Sequence, residues 1–110
     1  MTMTPRRAPR LKAQIRIFFS GSEGAIEGEG TVNDLSKTGC KVESETDVGV
    51  GTELEVWIYP PDHSWPLKVK RAVVRWSEDY QFGLEFLDLL PAQRERLRLA
   101  LERRKLASRS

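Results

Sequence analysis

The segment Glu53-Leu54-Glu55-Val56-Trp57-Ile58-Tyr59 decides the fold class. Its aliphatic residues Leu54, Val56 and Ile58 alternate with charged and aromatic ones, which is the period of two expected of a strand with one buried face. Two prolines follow at once, and proline ends a strand because it has no N–H to donate to a sheet ladder. The segment therefore predicts a half-buried strand.

Similar short segments occur on both sides, separated by turn signals roughly every ten residues. The predicted strands cover residues 13–17, 26–34, 39–43, 53–59, 67–76 and 82–86. In 67–76 the inward phase changes from Val69 to Ala72, Val74 and Trp76, and a β-bulge at Lys70-Arg71 is the simplest cause. About six or seven short strands predict a sandwich or a small barrel.

The two ends of the chain have a different character. The first ten residues contain two prolines, three arginines and few apolar groups, which predicts a flexible arm. After Asp88 the period becomes helical: Pro91 suits the first turn of a helix, and Leu90, Leu97, Ala100 and Leu101 recur at helical spacing. The basic residues on the other faces of this helix are typical of simple solvation.

Composition limits the functional class. With 110 residues, 39% hydrophobic and 31% charged, the chain fits one soluble domain. No apolar run is long enough to cross a bilayer, and no apolar stretch follows the basic N-terminus as in a secretory signal. Cys40 cannot form an internal disulfide, nor a zinc site with the lone His63. We therefore expect a cytoplasmic protein.

Positive charge is confined to the two ends. Residues 1–12 hold four bases and no acid, and residues 91–110 hold seven bases against two acids, whereas residues 13–90 hold seven bases and fourteen acids. An anionic ligand would therefore need one of the ends, not the barrel wall alone. Barrels that bind single-stranded nucleic acid interleave aromatic and basic residues on their strands. These strands carry mostly acids, so no DNA or RNA partner is expected.

No catalytic set is evident. His63 has no nucleophile or acid at a spacing typical of a catalytic pair. The carboxylates alternate with apolar residues, as in a strand with one solvent-exposed face. The glycine-rich stretch 21–30 lacks the Lys and Ser/Thr of a P-loop. We expect no enzymatic activity, no metal and no cofactor.

Two segments together fit a guanine nucleotide. Arg6, Arg7 and Arg10 supply guanidinium groups, which meet the acceptor edge of guanine, stack on purines and pair with phosphate. Asp34 and Ser36, followed by Gly39, supply a carboxylate for the donor edge of guanine, a hydroxyl and a flexible backbone position. Taken separately, the arm also fits a disordered basic tail, and residues 34–39 fit an Asx-type turn.

The same residues resemble the paired signature of PilZ domains. Arg6-x-x-x-Arg10 is followed about two dozen residues later by Asp34-x-Ser36-x-x-Gly39. The resemblance extends over residues 5–105, through Gly30-Thr31-Val32, Val73-Val74-Arg75-Trp76, the strand 82–86 and the closing helix. It implies an all-β fold with a terminal helix, namely a six-stranded antiparallel β-barrel plus a C-terminal α-helix. We therefore expect a flexible arm (1–11), a β-barrel (12–88) and a helix (89–107).

The resemblance also implies a ligand, the bacterial second messenger cyclic di-GMP. The arm would close over the barrel, and the ligand-binding residues would be Arg6, Arg7, Arg10, Asp34, Ser36, Gly39 and Trp76. Trp76 is the open case, since alternation places it in the core while some family members place an aromatic there against a guanine. In the family, the residue directly before the first arginine influences how many nucleotides bind. Here that residue is Pro5, which is compatible with either one or two nucleotides per site. The chain would act as a receptor or adaptor that signals to a protein partner. The alternative is a PilZ-like protein-interaction domain without nucleotide binding.

Overall fold

The computed structural model describes residues 15–21, 26–60 and 66–109, with side chains as far as Glu102. The predicted arm, with Arg6, Arg7 and Arg10, lies outside the described residues. Within the described ranges the chain forms six strands and one helix. In chain order these are β1 (Ile15–Gly21), β2 (Glu27–Asn33), β3 (Gly39–Glu43), β4 (Glu53–Tyr59), β5 (Leu67–Glu78), β6 (Gln81–Asp88) and α1 (Pro91–Arg109).

The six strands close into a barrel. Its order is β1-β2-β3-β6-β5-β4, and β4 pairs back onto β1. All six pairings are antiparallel. The prediction of a six-stranded antiparallel barrel with a C-terminal helix is confirmed, and closure excludes a sandwich. Closure also leaves no strand edge within the barrel unpaired.

The barrel interior is the hydrophobic core, and strand alternation fills it. In β4, Leu54, Val56 and Ile58 are buried as predicted. Phe19 and Phe82 meet edge to face, with ring centroids 5.3 Å apart, which is a favoured geometry for aromatic pairs. One face of each strand therefore supplies the core, and the other face is left to form any site on the outside.

The predicted bulge in β5 is confirmed. Leu54 pairs with Ala72, whereas Val56, two residues further along β4, pairs with Val69. A step of two residues on β4 thus faces a step of three on β5, and the additional residue changes the inward phase of the strand.

Helix α1 packs against the barrel through one apolar stripe. Leu97 is fully buried, and Leu89, just before the helix, is also buried in the core. Leu90, which the helical spacing included in the stripe, instead lies just before the helix and is half exposed. The Gln93 side chain accepts a hydrogen bond from the backbone N–H of Lys68, 3.1 Å away, and fixes the helix to β5. Among the described residues, no helix is long and apolar enough to span a membrane.

Candidate functional site

An open cavity of about 370 Å³ lies on the outside of the barrel where β3, β6 and β5 are neighbours. Its volume falls in the range of small-molecule sites. Of the seven predicted ligand residues, the structure brings four together here, and the three arginines lie outside the described residues. The cavity is lined by Asp34, Ser36, Thr38, Gly39, Cys40, Lys41, Trp76, Leu84 and Glu85.

Asp34 directs the chain out of β2 toward the cavity. Its φ of 52° lies in the left-handed region, which aspartate tolerates better than most residues because its short side chain bonds locally. The carboxylate is 77% exposed, and its Oδ2 atom lies 3.6 Å from Nζ of Lys41. Asp34 therefore offers an accessible carboxylate with one weak cationic partner.

Ser36 holds the loop between β2 and β3. Its Oγ accepts hydrogen bonds from the backbone N–H groups of Thr38 and Gly39, each at 3.2 Å. Its own N–H donates to the Gly39 carbonyl at 2.9 Å. These contacts match the local turn that the sequence left open as an alternative. They place the hydroxyl at the cavity wall while engaging it with its own backbone.

Gly39 is required by strand pairing. It lies at the start of β3, and a Cβ atom there would come 2.1 Å from the carbonyl oxygen of Leu84 on β6. Its φ is not in the left-handed region, which Asp34 occupies instead. The sequence assigned Gly39 to shaping the turn. The structure shows that it lets β3 and β6 approach each other at the cavity.

Trp76 lies on the outside, and the core placement that alternation gave it is wrong. Val74 pairs with Leu84, but Trp76 pairs with the adjacent Gly83, so Arg75 is an additional residue on β5. This second bulge turns Trp76 outward, where it is 40% exposed and lines the cavity. Trp76 is therefore accessible from the cavity, and its contact with a guanine, which the family resemblance implies, stays a prediction.

Two charged residues of the cavity were not predicted. Lys41 follows Gly39 by two residues and shares its outward face, a placement that strand alternation alone could have given. Glu85 on β6 accepts a 2.6 Å hydrogen bond from Nε of Arg75. That pair depends on the bulge at Arg75, which the sequence did not reveal.

Cys40 forms part of the inner wall. It is buried and has no disulfide partner, and burial raises the pKa of its thiol to about 12. Because the thiolate is the reactive form, the side chain behaves as a small apolar residue at neutral pH.

The described part of the cavity combines several chemical groups. It presents the carboxylates of Asp34 and Glu85, an ammonium, an indole, the hydroxyls of Ser36 and Thr38, and backbone groups at a strand start. A carboxylate accepts from N–H pairs such as the donor edge of guanine, an indole stacks on a base, and an ammonium attracts phosphate. Within the described residues, no group of three or more His, Cys, Asp and Glu side chains could hold a metal ion. With two carboxylates against one ammonium, the described residues suit the donor edge and the ring of a planar base, and an anionic group on the same ligand would need cations from elsewhere in the chain.

Comparison with known proteins bears on the family and the fold. A family model described as PilZ domain matches residues 4–103. Among solved structures, the PilZ domain of CeSA from a cellulose-synthesizing bacterium is similar, with a TM-score of 0.64 and 18% sequence identity. That match covers 82% of this chain and 92% of the other. No curated protein sequence matches the chain significantly.

Proposed function

Because the chain belongs to the PilZ domain family, whose members are binding and adaptor domains known for cyclic di-GMP, we propose that it is a receptor for this nucleotide. The observation that carries the proposal is the convergence of Asp34, Ser36, Gly39 and Trp76 on one open cavity. Two of these residues lie on a loop and two on different strands, 42 positions apart at most in the sequence. Their meeting is a property of the fold.

The described start of β1, which follows the arginines in the sequence, lies close to the loop that holds Asp34. Strand β1 begins at Ile15, whose register partner on β2 is Val32, two residues before Asp34. Arg10 precedes Ile15 by five residues, and five extended residues reach up to about 17 Å. The guanidinium groups of the arm are thus within reach of the cavity. We assign Arg6, Arg7 and Arg10 to guanine edges and phosphates, where each charge-assisted hydrogen bond contributes more than a neutral one.

The barrel side of the site holds the nucleotide with fixed groups. The Asp34 carboxylate accepts from guanine N1–H and N2–H, and Trp76 provides a stacking surface. Ser36 keeps the loop in shape through the bonds to Thr38 and Gly39. A rigid turn that needs no reordering reduces the entropy lost on binding.

The output of binding is a change in the arm. Residues 1–12 carry four bases, and the 13–90 body carries an excess of acids, so closure of the arm joins opposite charges, an attraction that salt screens. A protein partner would read the covered or uncovered surface. Amide exchange of residues 2–11 with and without cyclic di-GMP tests this step. Equal protection in both states would contradict it.

Calorimetry of the full chain tests the proposal as a whole. Titration with cyclic di-GMP should release heat at one or two nucleotides per chain, and GTP, GMP and cyclic di-AMP should not. A folded sample that gives no heat with cyclic di-GMP at tens of micromolar would refute it.

A PilZ-like interaction domain without nucleotide binding is the second candidate. Its support is that the Ser36 hydroxyl is already engaged by its own turn and Asp34 is already paired with Lys41. In that case the motif would serve only the loop. The same titration separates the two functions, because an interaction domain would give no heat with any nucleotide while staying folded.

A further inference from the structure

Gly83 is an unusual residue for the middle of a strand. Glycine weakens a strand interior, and its presence there often marks a place where something approaches the backbone closely. A Cβ atom at Gly83 would come 2.1, 2.6 and 2.7 Å from Nε1, Cε2 and Cδ1 of Trp76. These three nearest atoms all belong to the indole, and none belongs to the backbone. A larger residue at position 83 would therefore collide with the aromatic ring, which occupies the space that its side chain would need.

The indole lies over Gly83 because of the local register. The bulge at Arg75 turns Trp76 outward and sets it directly opposite Gly83 across the β5–β6 pair. The three atoms nearest the missing Cβ belong to the five-membered part of the ring, so this part rests on the strand. The side chain is still 40% exposed and lines the cavity. One side of the indole thus rests on β6 while the remainder faces the site.

We propose that Gly83 is the positioning residue that seats Trp76 as a stacking platform for one guanine of the bound nucleotide. The proposal rests on the proposed function and adds to it the residue that fixes the aromatic surface. An aromatic ring already held in one plane stacks on a base at a lower entropic cost, because a freely rotating ring loses rotamer freedom when a base lies on it. Any side chain at position 83 would lift the indole out of its recess.

The test is Gly83→Ala in the full-length chain, measured in two ways. In the ligand-free protein, Trp57 and Trp65 are replaced by Phe so that emission reports Trp76 alone, and quenching by acrylamide should increase when the ring is displaced. In the otherwise unchanged protein, affinity for cyclic di-GMP should fall about 10-fold, within the range of losing one base stack. In a Trp76→Leu background, Gly83→Ala should lower affinity no further, since the residue acts through the indole.

Gly28→Ala is the matched control. A Cβ atom at Gly28, on β2, would also meet side chains, with Thr46 Oγ1 at 2.5 Å and Phe19 Cζ at 2.8 Å, yet neither Gly28 nor these neighbours line the cavity. This variant should lose stability without losing affinity. If Gly28→Ala weakens binding as much as Gly83→Ala does, a general disturbance explains both and the proposal is overturned.

Failure of this proposal differs from failure of the proposed function. Unchanged quenching in Gly83→Ala overturns the seating of Trp76 by Gly83, whether or not the nucleotide binds. Absence of binding in the unsubstituted chain overturns the proposed function, and with it guanine as the occupant of the platform. A further loss of affinity in the Trp76→Leu background would show that position 83 acts on the ligand by itself, and would also overturn the proposal.

Discussion

Two tryptophans on the outside of the barrel show how differently the same residue can be used. Trp57 on β4 lies in a regular row, between Phe18 on β1 and Lys68 on β5. Its ring is 5.6 Å from that of Phe18, and the Lys68 ammonium lies 5.6 Å from its centroid. Trp76 follows a bulge, pairs with a glycine and faces a cavity. The Trp57 ring therefore contacts neighbouring side chains on the barrel surface, whereas the Trp76 ring lines an open cavity.

The difference lies in the backbone. Where β1 pairs with β4 and with β2 the register is regular, and charges beside the aromatics are paired with each other, as in Arg16 on β1 and Glu29 on β2 at 3.1 Å. On the β3–β6–β5 face a bulge and a left-handed Asp34 interrupt the pattern. A surface aromatic therefore indicates a site only where the local backbone leaves room beside it, and bulges commonly re-aim side chains in this way.

The largest contrast is expected between two arginines. Arg10→Ala should abolish measurable binding of cyclic di-GMP, because it removes several charge-assisted hydrogen bonds at about 1.5–3 kcal/mol each. Arg16→Ala, on the regular face, should leave affinity unchanged. Calorimetry measures both, and thermal melting of the ligand-free proteins should show little change, since exposed ion pairs contribute little.

The corresponding acids extend this test. Asp34→Ala should also weaken binding strongly, and Glu29→Ala should not. A sharp fall in the melting temperature of ligand-free Arg10→Ala would mean that the arm is structural, and its assignment to the ligand would be wrong.

The second contrast concerns glycines. Gly39→Ala should destabilise the fold by about 1–3 kcal/mol, the usual cost of overpacking, because the new methyl would collide with the Leu84 carbonyl, a backbone atom. Gly49→Ala is the control, since a Cβ atom there would have only Thr52 Oγ1 within 4.0 Å. Urea denaturation gives both values. Equal stability of the two variants would show that β3 and β6 can separate at the cavity without cost.

The third contrast exchanges the two tryptophans. Trp76→Ala should weaken binding by about 1–3 kcal/mol, the range for loss of one base stack, and change the free energy of unfolding less. Trp57→Ala should leave affinity unchanged and lower stability by about 1 kcal/mol through its lost contacts with Phe18 and Lys68. Calorimetry measures the affinity of each variant for cyclic di-GMP, and urea denaturation of the same samples measures the free energy of unfolding. If Trp57→Ala also weakens binding, the two faces are coupled and the comparison fails.

The sequence predicted the fold well because the strands carry a strong signal. Leu54, Val56 and Ile58 could be assigned to the core from alternation alone, and the structure buries all three. The first bulge was also visible, as the phase change between Val69 and Ala72. Where apolar and polar residues alternate, the inward face of a strand can be read directly.

The site was predicted only in part, for physical reasons. Ala72, Val73 and Val74 are consecutive, apolar and all buried, so no alternation remained to show that the next residues change phase. Trp76 was therefore placed inward by pattern, and only the family resemblance placed it at the site. The role of Gly83 depends on its contact with the Trp76 indole. That contact arises from the register of β5 and β6, which the sequence does not show at this point.

The smallest contrast is expected between two lysines, each paired with an acid. Lys41 lies 3.6 Å from Asp34 at the cavity, and Lys68 lies 3.2 Å from Glu55 beside Trp57. Both pairs are partly exposed, so replacing either lysine by Met should change stability by less than about 1 kcal/mol.

Lys41→Met should nevertheless weaken cyclic di-GMP binding about 2- to 5-fold at low salt, because it removes a positive charge close to the phosphates. The Debye length is about 8 Å at physiological ionic strength and about 3 Å at 1 M salt, so this difference should disappear at high salt. Lys68→Met, which removes a charge beside Trp57, should not alter affinity at any salt concentration. Tighter binding by Lys41→Met would mean that its ammonium competes with guanine for the Asp34 carboxylate, and the positive contribution assigned to Lys41 would be wrong.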